Sequence, residues 1–372
     1  MTSYPPEMSN GCEPSASTSA QALRAVVTTA CLLFSLIPAS FPPVALGAER
    51  LLPLSDNQKP PYMAVWLELK AQPQAINDYA KWLNRTVVWA DISPCMFHQP
   101  GKTWPEVELP FDTLWSKWIT EVPGRRAILA APMLPPDGST LAKGATGAFN
   151  SHFEALAKNL VANNLGNTIL CMGPGAWGVP WKVANKADAA NFVLYWRQIV
   201  TTMRAVPGAD KLHFDWVGSA GKTDYSLEDA YPGDTFVDFI GMNLGEGTND
   251  RSIYPYPPFV SDSERLYRQK KAWNIVYCPA LEKLNSFAKA HNKPFSIPMW
   301  NLAAGHERNS GLDAPYFIES MYRYIQDPAN NIYFASYFEY YHYSRLSPTG
   351  GYVSTWPKST EAFQKLFSLP AR

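Results

Sequence analysis

The sequence predicts a single (β/α)8 barrel of the α/β class, preceded by an N-terminal leader. Three observations carry this expectation. Eight short β-type runs alternate with helix-length segments along the chain. Several of those runs are almost continuously apolar, as in Ile-Leu-Cys-Met at 169–172 and Ile-Tyr-Phe-Ala-Ser-Tyr-Phe at 332–338, which is the pattern of strands covered on both faces. Residues 49–372 also provide the length that eight β-α units need, with no internal repeat and no second domain.

The candidate strands are Tyr62–Leu69, Thr86–Ile92, Arg126–Met133, Asn167–Met172, Lys211–Val217, Phe236–Leu244, Pro294–Leu302 and Asn331–Phe338. Between and after them run helical segments at Ile76–Leu83, Phe111–Val122, Phe149–Asn163, Ala187–Val206, Glu264–Asn292, Pro315–Gln326 and Glu361–Phe367. In Ala187–Val206 the apolar residues Phe192, Tyr195, Trp196, Ile199, Val200 and Met203 recur at steps of three and four and form one helical face. No G-x-G-x-x-G follows the first strand, and G-x-x-x-x-G-K-[ST] is absent, which removes the usual dinucleotide and phosphate signatures.

Residues 1–48 read as a leader. An unpatterned stretch rich in Ser, Thr and Pro precedes Arg24, and the apolar run Ala25–Ile37 follows. That run has the length of a signal-peptide core and is too short for a membrane span of ~20 residues. Pro38, Pro42 and Pro43 end it, and Ala45-Leu46-Gly47-Ala48 offers small residues for cleavage before Glu49. The expectation is export to a periplasmic or extracellular space, the alternative being a membrane tether through an uncleaved leader. Without the leader, Cys95, Cys171 and Cys278 remain; no pair has C-x-x-C spacing, and they read as buried free thiols rather than a disulfide framework, a single bridge being the alternative. Thirty-two basic and 32 acidic side chains give a net charge of zero, which excludes a generally basic nucleic-acid binder.

Active sites of such barrels lie at the carboxyl ends of the strands. Strand two ends in Asp91, strand five in Asp215-Trp216, strand six leads to Glu246 and strand eight to Glu339, whereas strands four and seven carry no carboxylate there. In an ordinary structural role, Asp215 is a hydrogen-bonding group beside Trp216, Glu246 a solvated loop residue and Glu339 a rim charge. Aromatics are abundant, with 13 Trp, 19 Tyr and 18 Phe. Their faces stack on sugar C–H surfaces while polar tips stay wet, and Trp177, Trp181, Trp216, Trp300, Tyr337 and Tyr340 fall at or just past strand ends. Phe338, Tyr341 and Tyr343 fall there too. His306 follows strand seven, but the six histidines show no metal-ligand spacing, and no G-x-S-x-G elbow occurs. No metal or other cofactor is expected.

Several segments resemble one family. They are Lys293–Leu302 followed by Gly305-His306, Ala314–Ile318, Phe214-Asp215-Trp216, Trp356-Pro-Lys-Ser359 with Ala362-Phe363, and most specifically Tyr231-Pro-Gly-Asp-Thr-Phe-Val-Asp-Phe-Ile-Gly241. Together they are similar to family 26 of the glycoside hydrolases, the bacterial β-mannanase group, over roughly residues 60–370. The resemblance implies a retaining glycosidase with an acid/base glutamate after strand four and a nucleophilic glutamate at the end of strand seven, ~5–5.5 Å apart. At the matching positions stand Gly175 and Met299, and no Asp or Glu occurs between Glu154 and Asp188. A thioether cannot act as this nucleophile, and glycine donates no proton. The expectation is a catalytically degenerate barrel that binds a mannan-type or other polysaccharide or oligosaccharide through Trp177, Trp181, Trp216, Trp300, His306, Tyr337 and Tyr340. Two alternatives stand beside it: an active endo-glycosidase with carboxylates relocated to Asp215, Glu246 or Glu339, and a structural or partner-binding barrel. No nucleic acid and no membrane contact beyond the leader is expected.

Overall fold

A computed structural model describes residues 59–67, 73–93, 113–135, 137–176, 183–302, 309–340, 344–349 and 354–369. The leader lies outside the described residues. Eight parallel strands close a barrel: β1 (Tyr62–Leu67), β2 (Trp89–Asp91), β3 (Ala127–Ala130), β4 (Ile169–Met172), β5 (His213–Val217), β6 (Phe239–Gly241), β8 (Phe295–Asn301) and β9 (Ile332–Glu339). Each pairs with the next, β6 with β8, and β9 closes the ring on β1 over Tyr62↔Phe334 to Leu67↔Glu339. The ninth strand, β7 (Leu244–Gly245), is a two-residue extension along the end of β8.

Each predicted strand is present, most of them shorter than expected, while the last runs one residue further, to Glu339. The sixth is divided into β6 and β7, because residues 234–236 form a 3-10 turn and the chain leaves the sheet after Gly241. The Tyr231–Gly241 segment is held by its acids. Tyr231 donates its hydroxyl to Asp234 Oδ1 (2.9 Å), while Asp238 accepts the Phe214 N–H (2.7 Å) and the Arg204 guanidinium.

The helices around the barrel are α1 (Pro73–Trp82), α2 (Thr113–Glu121), α3 (Leu141–Ala145), α4 (Asn150–Ala162), α5 (Lys186–Arg204), α6 (Asp262–Ala272), α7 (Cys278–Ala290), α8 (Pro315–Gln326) and α9 (Pro357–Phe367). Asn185 caps α5 by accepting the Ala187 and Asp188 N–H groups, and Ser261 caps α6 by accepting that of Glu264. The expected helix 264–292 is interrupted by one π turn, Trp273–Tyr277, which links α6 to α7. Pro279 explains it: a proline has no N–H to donate and its ring presses on the carbonyl four residues back, so the chain widens to a Cys278 N–H bond to Trp273 O.

Strand alternation sorts the side chains. Inside the barrel, Ala64, Trp89, Ile128, Ile169, Cys171, Val217, Phe239 and Phe334 form one cluster. Outside, Trp300 packs against Tyr337 (ring centroids 4.9 Å apart) and against Phe363 and Phe367 of α9 (6.0 and 5.8 Å), and Tyr337 meets Phe363 at 5.0 Å. Cys171 is a free buried thiol, as expected. Cys278 is not: it is disulfide-bonded, to a partner outside the described residues. Sequence spacing gave no sign of that pairing, since a bridge depends on spatial approach.

Candidate functional site

Just past the end of β4 and near the end of β8 stand Gly175 and Met299, the two positions that the sequence resemblance singles out. β4 runs out through Gly173 (φ +149°), where a Cβ would lie 2.2 Å from Val217 O, so the chain crosses directly over β5. Two residues on, Gly175 donates its N–H to Val217 O (2.9 Å). A Cβ at Gly175 would stand 2.0 Å from Gly218 O and 2.5 Å from its carbonyl carbon. Gly218 is itself closely packed, by side chains: its Cβ would meet Leu284 Cδ1 at 2.4 Å and the Trp216 ring at 2.8 Å. The loops after β4 and β5 are therefore packed backbone on backbone, and no side chain fits at 175 without parting them.

Met299 is half-buried near the end of β8. Ile297 faces Ala335 and Trp300 faces Tyr337, so Pro298 and Met299 occupy a one-residue bulge relative to β9. Bulges of this kind re-aim side chains at barrel rims.

The three fallback carboxylates are fully buried, and each has a separate set of partners. Asp215 points into the barrel, where its Oδ2 accepts Ser296 Oγ–H (2.8 Å) and Cys171 Sγ–H (3.5 Å). Burial raises its pKa to about 7, and raises that of Asp91 equally; Ser93 donates to Asp91 through N–H and hydroxyl. Asp215 is the structural hydrogen-bonding group the sequence suggested. Glu246 is not a solvated loop residue: it accepts the Gly311 N–H at 2.9 Å and the Tyr277 hydroxyl at 3.3 Å. Glu339 is not a rim charge either. It follows Tyr337 on the outer face of β9 and accepts Leu346 N–H, Ser347 N–H and Ser347 Oγ–H, with burial raising its pKa to about 7. The chain comes back over both residues, which strand-end position alone did not reveal.

Three expected groove residues are also withdrawn from solvent. Trp216 alternates with the inward Asp215 and Val217 and so faces outward, its Nε1–H donating to Ala230 O (3.1 Å) and its ring packed on Tyr231 and Phe287. Trp300 and Tyr337 lie in the aromatic layer under α8 and α9, and Tyr337 donates its hydroxyl to Ser344 O (2.7 Å). Their position at strand ends was read correctly; their face was not. Trp177, Trp181 and His306 lie outside the described residues, as do Tyr341 and Tyr343.

Tyr340 remains partly exposed, and it has company. Trp66 at the end of β1 stacks on Phe338 at 4.2 Å and 10°, and Phe338 is parallel to Tyr340 at 6.2 Å and 10°. Trp66 is held by its Nε1–H bond to Ser93 O. This file of parallel rings at the barrel mouth includes one residue that strand-end reasoning missed. The signal was the period-two spacing Tyr62-Ala64-Trp66, which puts Trp66 on the inward face. Among the described residues, no three His, Cys, Asp or Glu side chains converge to hold a metal ion.

No family model matches the chain, and no curated protein matches it in sequence. Solved structures do match its fold. An engineered protein aligns over 82% of this chain and 68% of its own at a TM-score of 0.53 and 15% identity. GH26C from Muricauda sp. MAR_2010_75 aligns over 82% of this chain and 84% of its own at a TM-score of 0.51 and 14% identity. A double mutant of the Cellulomonas fimi endo-beta-1,4-mannanase covers 74% of this chain at a TM-score of 0.48 and 14% identity, and this chain spans 62% of its length. The barrel thus has a fold like that of glycoside hydrolase family 26.

Proposed function

We propose that the protein is an exported, glycan-binding barrel of the family 26 type in which hydrolysis has been lost. The observation that carries this reading is the closure at Gly175: the loop that carries an acid/base glutamate in the family is packed against the Gly218 backbone with no space for a side chain. Met299 stands at the position of the nucleophile. The retaining mechanism needs two carboxyl groups facing each other across the sugar, and Asp215, Glu246 and Glu339 are each buried in bonds to the protein itself. Retained binding is supported by Phe338 and Tyr340, half-buried rings at the mouth that lie parallel over the buried Trp66. Export is supported by the leader-like Ala25–Ile37 run and by the bridged Cys278, since disulfides persist in oxidising compartments.

Affinity electrophoresis of residues 49–372 through gels containing galactomannan or a β-glucan tests the reading. The protein is expected to be retarded, and Tyr340→Ala to weaken retention about five- to tenfold, as loss of one stacking face of ~1 kcal/mol implies. Unretarded migration on every neutral polysaccharide contradicts glycan binding and favours the structural barrel.

A further inference from the structure

The amino ends of the strands, opposite the mouth, hold a second group of polar side chains. Arg126 immediately precedes β3 there, His213 begins β5, Tyr62 begins β1 and Tyr333 is the second residue of β9. Arg126 is only 8% exposed. Its guanidinium donates from Nε to Asn167 O (2.8 Å), from Nη1 to the Tyr333 hydroxyl oxygen (3.3 Å) and from Nη2 to His213 Nδ1 (2.6 Å). Lys211 O also lies 2.8 Å from that Nδ1, but a guanidinium can only donate, so Nδ1 is the acceptor. We propose that this end of the barrel binds a small tetrahedral oxyanion, phosphate or sulfate, between Arg126 and the hydroxyls of Tyr62 and Tyr333. The site is independent of what the mouth binds.

Three observations support it. The first is an uncompensated charge. A buried cation is costly unless a counter-charge meets it, and among the described residues no carboxylate pairs with Arg126. Asp238, whose charge reaches Arg126, is already held by Arg204 Nη2 (3.1 Å) and by the Phe214 N–H (2.7 Å). The second is a surplus of donors. Three of the five guanidinium N–H groups have the partners named above, which leaves two. Tyr333 accepts from Arg126 and so keeps its own O–H to give, and Tyr62 stands beside it with ring centroids 5.2 Å apart. Tyr62, Tyr333 and His213 are half-buried, so a ligand reaches this group from solvent. The third is a fixed geometry. Tyr62 stacks on Trp89 (4.3 Å), Tyr333 on Phe239 (4.6 Å), and the guanidinium lies over the Trp89 ring, 5.5 Å from its centroid. Donors held in place before the ligand arrives bind it at lower entropic cost, and the arginine fork suits phosphate-like oxygens. The two phenol rings are inclined at 70°, so the donors do not share one plane. A tetrahedral anion presents oxygens to all of them, a planar carboxylate to fewer.

Calorimetric titration and thermal unfolding of the full chain at pH 7 test this, with sodium phosphate, sulfate and acetate compared against chloride at matched ionic strength. The expected result is one saturable site for phosphate or sulfate, a rise in Tm that chloride does not reproduce, and acetate bound at least tenfold more weakly. Tyr62→Phe combined with Tyr333→Phe removes two hydroxyls while keeping both rings, and should weaken binding at least tenfold. Arg126→Lys keeps the charge but loses the fork, and should do the same. If Arg126→Lys fails to fold, the phenylalanine pair decides. A response that chloride matches overturns the site, as does undiminished binding by the phenylalanine pair. Acetate bound as tightly as phosphate and sulfate overturns the tetrahedral class.

Discussion

Replacing Gly175 by alanine adds one methyl group, and the structure says how badly it fits. The new Cβ would sit 2.0 Å from Gly218 O and 2.5 Å from its carbonyl carbon, both backbone atoms that cannot swing aside. Relief requires the β4 and β5 loops to separate, which gives up the bond from Gly175 N–H to Val217 O. Overpacking of this kind costs about 1–3 kcal/mol, and a lost buried hydrogen bond about 1 kcal/mol more. The sum of ~2–4 kcal/mol corresponds to a fall in Tm of roughly 3–6 °C for a chain of 372 residues. Gly221→Ala is the control, because its Cβ would meet Ser219 Oγ at 3.6 Å, an ordinary contact; it should unfold within about 1 °C of the wild type. Thermal unfolding followed by circular dichroism reads both. If Gly175→Ala melts with the wild type and with Gly221→Ala, position 175 has room for a side chain and the closed-loop account fails. The same geometry means that Gly175→Glu, even combined with Met299→Glu, would disrupt the loop before it supplied an acid.

Three further predictions concern the buried groups. Asp91, Asp215 and Glu339 have pKa values raised to about 7 by burial, so the native state keeps protons that the unfolded chain releases near pH 4. Their stabilisation is complete below about pH 4 and lost as pH rises to about 7; Tm should fall between pH 5 and pH 8, less steeply in Asp215→Asn, and a rise over that range would refute the burial. Glu339→Ala strands the Leu346 and Ser347 N–H groups and should cost about 3 kcal/mol or more in chemical denaturation, Glu339→Gln clearly less. In the full chain, thiol alkylation of the denatured, unreduced protein should label Cys171 and leave Cys278 unlabelled; labelling of Cys278 before reduction would contradict its bridge.

The barrel was legible because its strands announce themselves. Runs such as Ile169–Met172 and 332–338 are almost continuously apolar, the pattern of strands in a sheet covered on both sides. What the sequence hid was the face on which each strand-end residue lies. Trp216 and Trp300 are at the right height but on the helix side of the wall, and the bulge at Pro298-Met299 shifts the alternation that would have decided it. Glu246 and Glu339 looked exposed because the segments that cover them, at Gly311 and Leu346-Ser347, arrive from elsewhere in the chain. The absence of an acid at 175 was visible in the sequence; that the glycine is sterically required became visible only when Gly218 was found against it.

The central claim is a glycan-binding barrel that does not cleave. Its most direct test is release of reducing ends from a polysaccharide panel, mannans first, by residues 49–372 at pH 5 and pH 7. The account predicts no release above the protein-free control at either pH. Steady release of reducing ends that disappears in Asp91→Asn, Asp215→Asn, Glu246→Gln or Glu339→Gln would contradict it, and would show that a carboxylate other than the family pair performs the hydrolysis.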